Sequence, residues 1–269
     1  MQKNAIITVF LAQSLFLVAQ SCTSDMFDQN YSRTAISNFT GFNSGLIKET
    51  MPIDTIDCTA LFMRVDSNKT YTQTKAEILK IKSKIDREII TEDSLSVLFT
   101  DLLVQKIFPY WYGTPWDFNG YTAVPNQGVI ACGYFVSTTL LHMGVNINRY
   151  KMAQQLPIHE AQTVSCGHAI QEIYNETIEE NIAQLDTILT EGIYFLGFDQ
   201  SHVGFILKKY DRLFVIHANY IGNGGVAVEK IEESQAFASY RRFYIAEIST
   251  NKILIKKWIL NEVVTVIEE

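Results

Sequence analysis

The chain has 269 residues, of which 47% are hydrophobic and 19% are charged, and its formal net charge is −7. This composition is typical of a globular protein with a sizeable core, and it excludes extensive disorder. A negative net charge without a basic stripe argues against a nucleic-acid partner.

The first 22 residues predict a targeting segment rather than part of the fold. Lys3 supplies a positive charge, and the apolar run over residues 5–19 is too short for an ordinary transmembrane helix. Cys22 closes this segment, which resembles a bacterial lipoprotein signal except that Gln20 stands where a smaller residue is usual. We therefore expect an exported protein that is anchored to the membrane through a lipid on Cys22. The alternative is an ordinary cleaved secretory signal in which Cys22 is incidental.

A polar stretch then precedes the folded part of the chain. Residues 23–70 are predicted to be a tether and an irregular segment, and residues 71–269 are predicted to be one domain that begins with a helical extension over residues 71–108. Isoleucines at steps of three and four predict a helix over residues 74–90, namely Ile78, Ile81, Ile85 and Ile89. Thr91 is followed by two acids and predicts the start of a second helix, which ends near Pro109.

Residues 128–144 combine a glycine-marked loop with an apolar segment of helical length. We predict that Cys132 lies in the first turn of this helix and that Gly144 adopts a left-handed conformation at its end. A thiol at the positive end of a helix dipole has a lowered pKa, which favours the nucleophilic thiolate. The alternative is a structural cysteine packed in the core. The aromatic stretch over residues 111–126 is typical of a loop that walls a substrate cleft, although it could also simply cover the core.

The rest of the chain predicts a helix-rich connector followed by strands. The connector spans residues 149–190 and includes an amphipathic helix over residues 172–189. His159 and His168 do not form a metal-ligand pattern, and we interpret both as surface or packing residues. Strands are predicted at residues 193–198, 203–208, 213–218, 226–228, 242–248 and 253–260. Helices followed by hairpin-linked strands indicate an α+β fold with an antiparallel sheet.

Two histidines mark one end of this predicted sheet. His202 opens one strand and His217 closes the next. Because strands joined by a short turn are antiparallel neighbours, we expect the two imidazoles to be in contact. If Cys132 packs on that end of the sheet, His202 would accept the thiol proton and His217 would orient the His202 ring. Asn219, on the same strand face as His217, is the second candidate for the orienting residue.

The four cysteines have different expected roles. Cys22 is the expected anchor, and Cys132 is the candidate nucleophile. Cys58 and Cys166 could form a disulfide, which an exported protein permits, or they could remain buried thiols. Their spacing does not decide between these alternatives.

Five short motifs follow one another between residues 108 and 230. They read Gly-Thr-Pro-Trp-Asp-Phe-Asn-Gly at residues 113–120, Ala-Cys-Gly-Tyr-Phe-Val at 131–136, Gly-Ile-Tyr-Phe at 192–195, His-Val-Gly-Phe at 202–205 and Val-Ile-His-Ala at 215–218. In order and spacing they resemble the motifs of the NlpC-type papain-like cysteine peptidases of bacterial cell-wall metabolism.

This resemblance implies a papain-like catalytic domain with the nucleophile at a helix N-terminus. Cys132 would be the nucleophile, His202 the base and His217 the third residue. The backbone N–H of Cys132 and the indole of Trp116 would hold the oxyanion. The implied reaction is hydrolysis of peptide or amide bonds in the cell envelope, with peptidoglycan stem peptides as the expected substrate. The resemblance implies no metal and no cofactor.

The chain departs from the family at three positions. Trp116 stands where the family has tyrosine, Ala131 replaces the acid before the nucleophile, and Gly133 replaces the serine after it. An indole still donates one hydrogen bond, whereas positions 131 and 133 contact the amino end of the substrate in some members. Two other functions therefore remain open. One is a lipoprotein that binds cell-wall fragments without turnover, and the other is an acyltransferase or thioesterase on a related scaffold.

Overall fold

The computed structural model describes residues 65, 67–85, 90–222 and 224–268. These residues form a mixed helical and sheet structure with an antiparallel sheet, so the predicted α+β class is confirmed. The expected anchor at Cys22, most of the tether over residues 23–70, and Cys58 lie outside the described residues.

The N-terminal helices have strong capping signals. Helix α1 spans Tyr71–Ser83 and begins with a reciprocal capping box between Thr70 and Gln73. Helix α2 spans Glu92–Leu102, and the hydroxyl of Thr91 accepts a hydrogen bond at its start, as the sequence predicts. A π-helical turn, Leu103–Ile107, continues α2 into the short helix α3, Phe108–Trp111. Helix α1 therefore ends earlier than the predicted residue 90, and the second helical segment extends to Trp111.

Helix α4 spans Cys132–His142 and begins at the predicted cysteine. Ala131 precedes it in an extended conformation and provides no side-chain cap. Gly144 follows the helix with a φ of +84°, which confirms the predicted left-handed position. Most of the helix is buried, because its apolar residues face both the sheet and the other helices.

The connector is less helical than the sequence predicts. It contains β1 (Asn146–Ile147), α5 (Arg149–Met152), α6 (Pro157–Ser165), β2 (Gln171–Tyr174) and α7 (Ile178–Ile188). The single helix predicted over residues 172–189 is therefore wrong in its first part. Residues 171–174 pair with a neighbouring strand at the edge of the sheet, and helix α7 begins only after its own capping box at Thr177.

The main sheet is antiparallel and has the strand order β2-β7-β3-β4-β5-β6. Its remaining strands are β3 (Gly192–Phe198), β4 (His202–Lys209), β5 (Arg212–Asn219), β6 (Gly225–Lys230) and β7 (Arg242–Glu247). A 3₁₀ turn, Ile231–Glu233, and a short helix α8, Gln235–Ala238, lie between β6 and β7. The strands predicted between residues 193 and 248 are thus confirmed.

The strand predicted over residues 253–260 is wrong. These residues lie in helix α9, Lys252–Leu260, whose start is capped by the side chain of Asn251. The buried face of α9 carries Leu254 and Trp258 at helical spacing, and the Trp258 indole donates a 2.7 Å hydrogen bond to the carbonyl of Met143. A two-residue strand β8, Val263–Val264, then pairs in parallel with β1.

The two faces of the sheet pack against different partners. On one face the Phe205 ring lies 5.1 Å from Phe108 and 5.9 Å from Phe135 of helix α4. On the other face Ile206 and Val215 belong to a core cluster that includes residues of β7, α7 and α8. Strand alternation places His202 and His217 on this second face as well.

Candidate active site

The two histidines are hydrogen-bonded to each other. His202 Nε2 lies 2.8 Å from His217 Nδ1, and the two residues are 2% and 0% exposed. The antiparallel register of β4 and β5 brings them together, so the predicted contact is observed. The Phe198 ring, 4.8 Å from the His202 ring, packs beside the pair.

Glu229 extends this pair to a chain of three side chains and was not identified from the sequence. Its Oε2 lies 3.3 Å from His217 Nε2, and its Oε1 accepts a 2.8 Å hydrogen bond from Asn219 Nδ2. Pairing of His217 with Ala227 places Glu229 two residues further along β6 on the same face. Of the two candidate orienting residues, His217 therefore contacts His202, whereas Asn219 holds the carboxylate behind His217.

The environment favours neutral imidazole at His202 and an ionised carboxyl at Glu229. Burial, with a smaller contribution from the neighbouring charge of His217, holds the pKa of His202 well below its ordinary value. Burial alone would raise the pKa of Glu229. Hydrogen bonds from His217, Ser234 and Asn219, together with the charge of His217, outweigh this effect and leave the pKa lowered. Hydrogen bonds to the charged form of a carboxyl have this consequence in general.

Cys132 is a partly exposed residue with a free but buried thiol, and it occupies the first position of helix α4. Burial and then the negative charge of Glu160 raise its pKa to about 11, against the opposing effect of the backbone N–H groups of Val203, Gly133 and Cys132 itself. The expectation that the helix start lowers this pKa is therefore wrong, because desolvation outweighs the N–H groups. Val203 follows His202 directly, so the thiol lies beside the backbone at the start of β4.

Glu160 is a second carboxyl at the site that was not identified from the sequence. It lies on helix α6, is 2% exposed, and its Oε2 has no hydrogen-bond partner. Burial raises its pKa well above the ordinary value. A Cβ on Gly133 would lie only 2.9 Å from its Oε1, so the glycine at this position makes room for the carboxyl.

Trp116 and Tyr220 form the aromatic side of the site. The Trp116 indole Nε1 is buried and has no hydrogen-bond partner. Its ring lies 6.0 Å from that of Tyr220, which in turn lies 5.1 Å from the His202 ring. Burial, then the hydrogen bond with Tyr240 and its charge, and last the charge of Cys132 raise the pKa of Tyr220. Tyr220, which the sequence did not single out, thus lies between the indole and the imidazole.

The loop that carries Trp116 is attached to the sheet through its backbone. Gly113 N–H donates to the carbonyl of Val226 and Val226 N–H donates to the carbonyl of Thr114, both at 2.9 Å. Trp116 also forms an isolated bridge with Ile130, shortly before Cys132. These bonds set the position of the indole relative to β6 and to the start of α4.

The other candidate residues lie elsewhere. His168 Nδ1 lies 3.9 Å from a carboxylate oxygen of Glu247 at the surface, and His159 Nδ1 is buried without a partner. Cys166 is a free thiol, 3.7 Å from the carbonyl of Thr163. Within the described ranges, no group of three His, Cys, Asp or Glu residues could hold a metal ion. The same part of the chain contains no helix that is long and apolar enough to cross a membrane.

Comparison of the chain with models of protein families, with curated proteins and with solved structures gives no match in any of the three. The functional assignment therefore rests on the residues of the site and on the motifs in the sequence.

Proposed function

We propose that this protein is a cysteine-dependent hydrolase with a papain-like site, which cleaves peptide or amide bonds of the bacterial cell envelope. The observation that supports it most is the chain of hydrogen bonds from the buried His202 through the buried His217 to the partly exposed Glu229, in a site that also contains Cys132. A nucleophile, a base and an oriented partner of the base are the parts that nucleophilic catalysis requires.

The reaction would proceed through a thioester. Cys132 transfers its proton to His202 and attacks the carbonyl carbon, which forms the tetrahedral intermediate. The backbone N–H of Cys132 and the free indole N–H of Trp116 hold the oxyanion. The protonated His202 then gives its proton to the leaving amine as the C–N bond breaks. Water, deprotonated by His202, hydrolyses the thioester and regenerates the thiol.

The raised pKa of Cys132 fits attack that is coupled to proton transfer. At neutral pH the thiol is protonated and His202 is uncharged, so the proton would move as the carbonyl carbon is attacked rather than beforehand. A bound substrate would also exclude water, which strengthens the interaction of a thiolate with the backbone N–H groups.

The proposed substrate and location rest on the sequence. The lipoprotein-like signal with Cys22 and the five NlpC-type motifs favour an exported, membrane-anchored enzyme acting on peptidoglycan stem peptides. The raised thiol pKa, with Ala131 and Gly133, favours one alternative, a lipoprotein that binds cell-wall fragments without cleaving them. An acyltransferase or a thioesterase would use the same Cys132, His202 and His217. The acyltransferase would transfer the acyl group to an acceptor other than water, and the thioesterase would cleave an ester substrate.

The test is incubation of purified peptidoglycan fragments with the protein, followed by quantification of new free amines and mass spectrometry of the products. Cys132→Ala should abolish amine release, whereas Cys166→Ala, at the second free thiol of the described residues, should retain it. Addition of an amine acceptor separates hydrolysis from transfer, because a transferase would yield the acceptor adduct. Tight binding of fragments without amine release would overturn the hydrolase and favour the binding protein.

A further inference from the structure

We propose that Glu229 is a positioning residue that fixes the tautomers of both His217 and His202. Its effect on catalysis rests on the hydrolase proposed above, but the tautomers themselves can be measured without any turnover.

The hydrogen-bond chain permits one assignment when both imidazoles are neutral. An ionised carboxylate only accepts hydrogen bonds, so His217 Nε2, at 3.3 Å from Glu229, carries the hydrogen. His217 Nδ1 is then an acceptor, and the hydrogen in the 2.8 Å contact belongs to His202 Nε2. His202 Nδ1 is left with a lone pair, which is the form that a general base requires.

The second partner of the Glu229 carboxylate is Asn219, and the orientation of its amide group is fixed. Its Oδ1 accepts a 2.8 Å hydrogen bond from the backbone N–H of Ile221, so its Nδ2 must face Glu229. Glu229 therefore accepts from the amide of Asn219 at Oε1 and from the imidazole of His217 at Oε2, and the hydroxyl of Ser234 is a third donor to this carboxylate. This arrangement needs two acceptor atoms at position 229, and only a carboxylate supplies them.

Glu229→Gln keeps the shape of the side chain and supplies only one acceptor. Its oxygen would face Asn219, and its amide group would donate to His217 Nε2. His217 would then carry its hydrogen on Nδ1 and donate to His202 Nε2, which moves the His202 hydrogen to Nδ1. The bonds that link Asn219, residue 229, His217 and His202 all survive this reversal, and the Ser234 hydroxyl can rotate to suit either group. In the opposite orientation the glutamine amide group would face the amide group of Asn219, and both are donors. The variant should thus fold normally with a base that cannot accept the thiol proton.

A second substitution should reverse the effect. In Asn219→Asp combined with Glu229→Gln, the new carboxylate accepts from both Ile221 N–H and the glutamine amide. The glutamine oxygen is then free to accept from His217 Nε2, which restores the original tautomers. Glu232→Gln is the matched control, because Glu232 is an exposed carboxylate three residues further along the chain.

The experiment is ¹⁵N NMR of histidine-labelled protein at neutral pH, where the ring-nitrogen shifts and two-bond couplings distinguish the tautomers. The wild type, the double variant and Glu232→Gln should show both histidines protonated at Nε2, and Glu229→Gln should show both at Nδ1. Hydrolysis should fall by about 10²- to 10⁴-fold in Glu229→Gln and recover in the double variant. A wild-type His217 protonated at Nδ1, or unchanged tautomers in Glu229→Gln, would overturn the proposal. The expected tautomers without any hydrolysis in the wild type would instead overturn only the proposed function.

Discussion

Cys132 is expected to be an unreactive thiol in the absence of substrate. Its pKa of about 11 lies about two above the ordinary value of 9.0, so at neutral pH it forms about 100-fold less thiolate than an unfolded chain. Intrinsic nucleophilicity rises with pKa and regains roughly tenfold of this loss. Labelling of Cys132 by iodoacetamide should therefore be about tenfold slower in the folded protein than in urea.

Glu160→Gln tests the electrostatic part of this rise. The substitution removes a negative charge while keeping the volume of the side chain next to Gly133. The charge is the second cause after burial, so we expect the substitution to lower the pKa of Cys132 and to speed labelling in the alkaline range. Burial raises the pKa of Glu160 itself, so its charge develops only as the pH rises. The two labelling curves should therefore coincide at low pH and separate in the alkaline range.

The assay is the pH dependence of carboxamidomethylation, between pH 6 and pH 11.5, in a chain in which Cys132 is the only cysteine. Glu179→Gln, an exposed carboxylate in the first turn of α7, is the matched control and should label like the wild type. Identical alkaline curves for Glu160→Gln and the wild type would refute the electrostatic role of Glu160. A wild-type labelling curve with its midpoint near pH 9 would show that burial does not outweigh the backbone N–H groups in setting the pKa of Cys132.

Three further substitutions test the site and the fold. Trp116→Phe removes the free indole N–H and should lower kcat about 10²-fold with little change in KM, as steady-state kinetics with a peptide substrate would measure; an unchanged kcat would exclude the indole from the oxyanion site. Gly144→Ala places a side chain at φ +84° and 2.8 Å from Leu79, and should lower the free energy of unfolding in urea by about 1–2 kcal/mol. Trp258→Phe leaves the buried carbonyl of Met143 without its donor and should cost about 1–3 kcal/mol in the same assay; no loss would mean that another donor reaches this carbonyl.

The strands and the histidine pair could be predicted because local signals determine them. The strands of the central hairpin are short, apolar and separated by polar turns, and a hairpin has one simple register. The contact between the His202 and His217 imidazoles follows from that register alone. The start of helix α4 at Cys132 and its end at Gly144 were also predictable, because glycine marks both ends of an apolar run.

The predicted secondary structure was wrong for two elements, for different reasons. Residues 171–174 are exposed at three of four positions, and only their pairing with β7 makes them a strand. Helix α9 carried a readable signal, because Asn251 precedes apolar residues at helical spacing and caps the helix. The run of isoleucine and leucine in that segment outweighed this signal, although β-branched residues also occur in buried helices.

Glu229 and Glu160 could not be assigned from the sequence, because both depend on long-range geometry. The position of Glu229 follows from the pairing of β5 with β6, and the turn between these strands does not fix its register from the sequence alone. Glu160 is an acid on a helix, and such residues are usually exposed. Only the packing of α6 against the sheet buries it beside the start of α4.

These two carboxyls affect the thiol–imidazole pair in opposite ways. Transfer of the thiol proton to His202 spans a pKa gap from about 11 to below 6.5, which costs more than about 6 kcal/mol before the two new charges attract each other. Glu229 reduces this cost, because its charge stabilises an imidazolium through His217, whereas an ionised Glu160 increases it by opposing the thiolate. A charged Glu229 with a protonated Glu160 is therefore the most favourable combination for catalysis. The opposite shifts in the pKa values of these two carboxyls favour that combination at neutral pH.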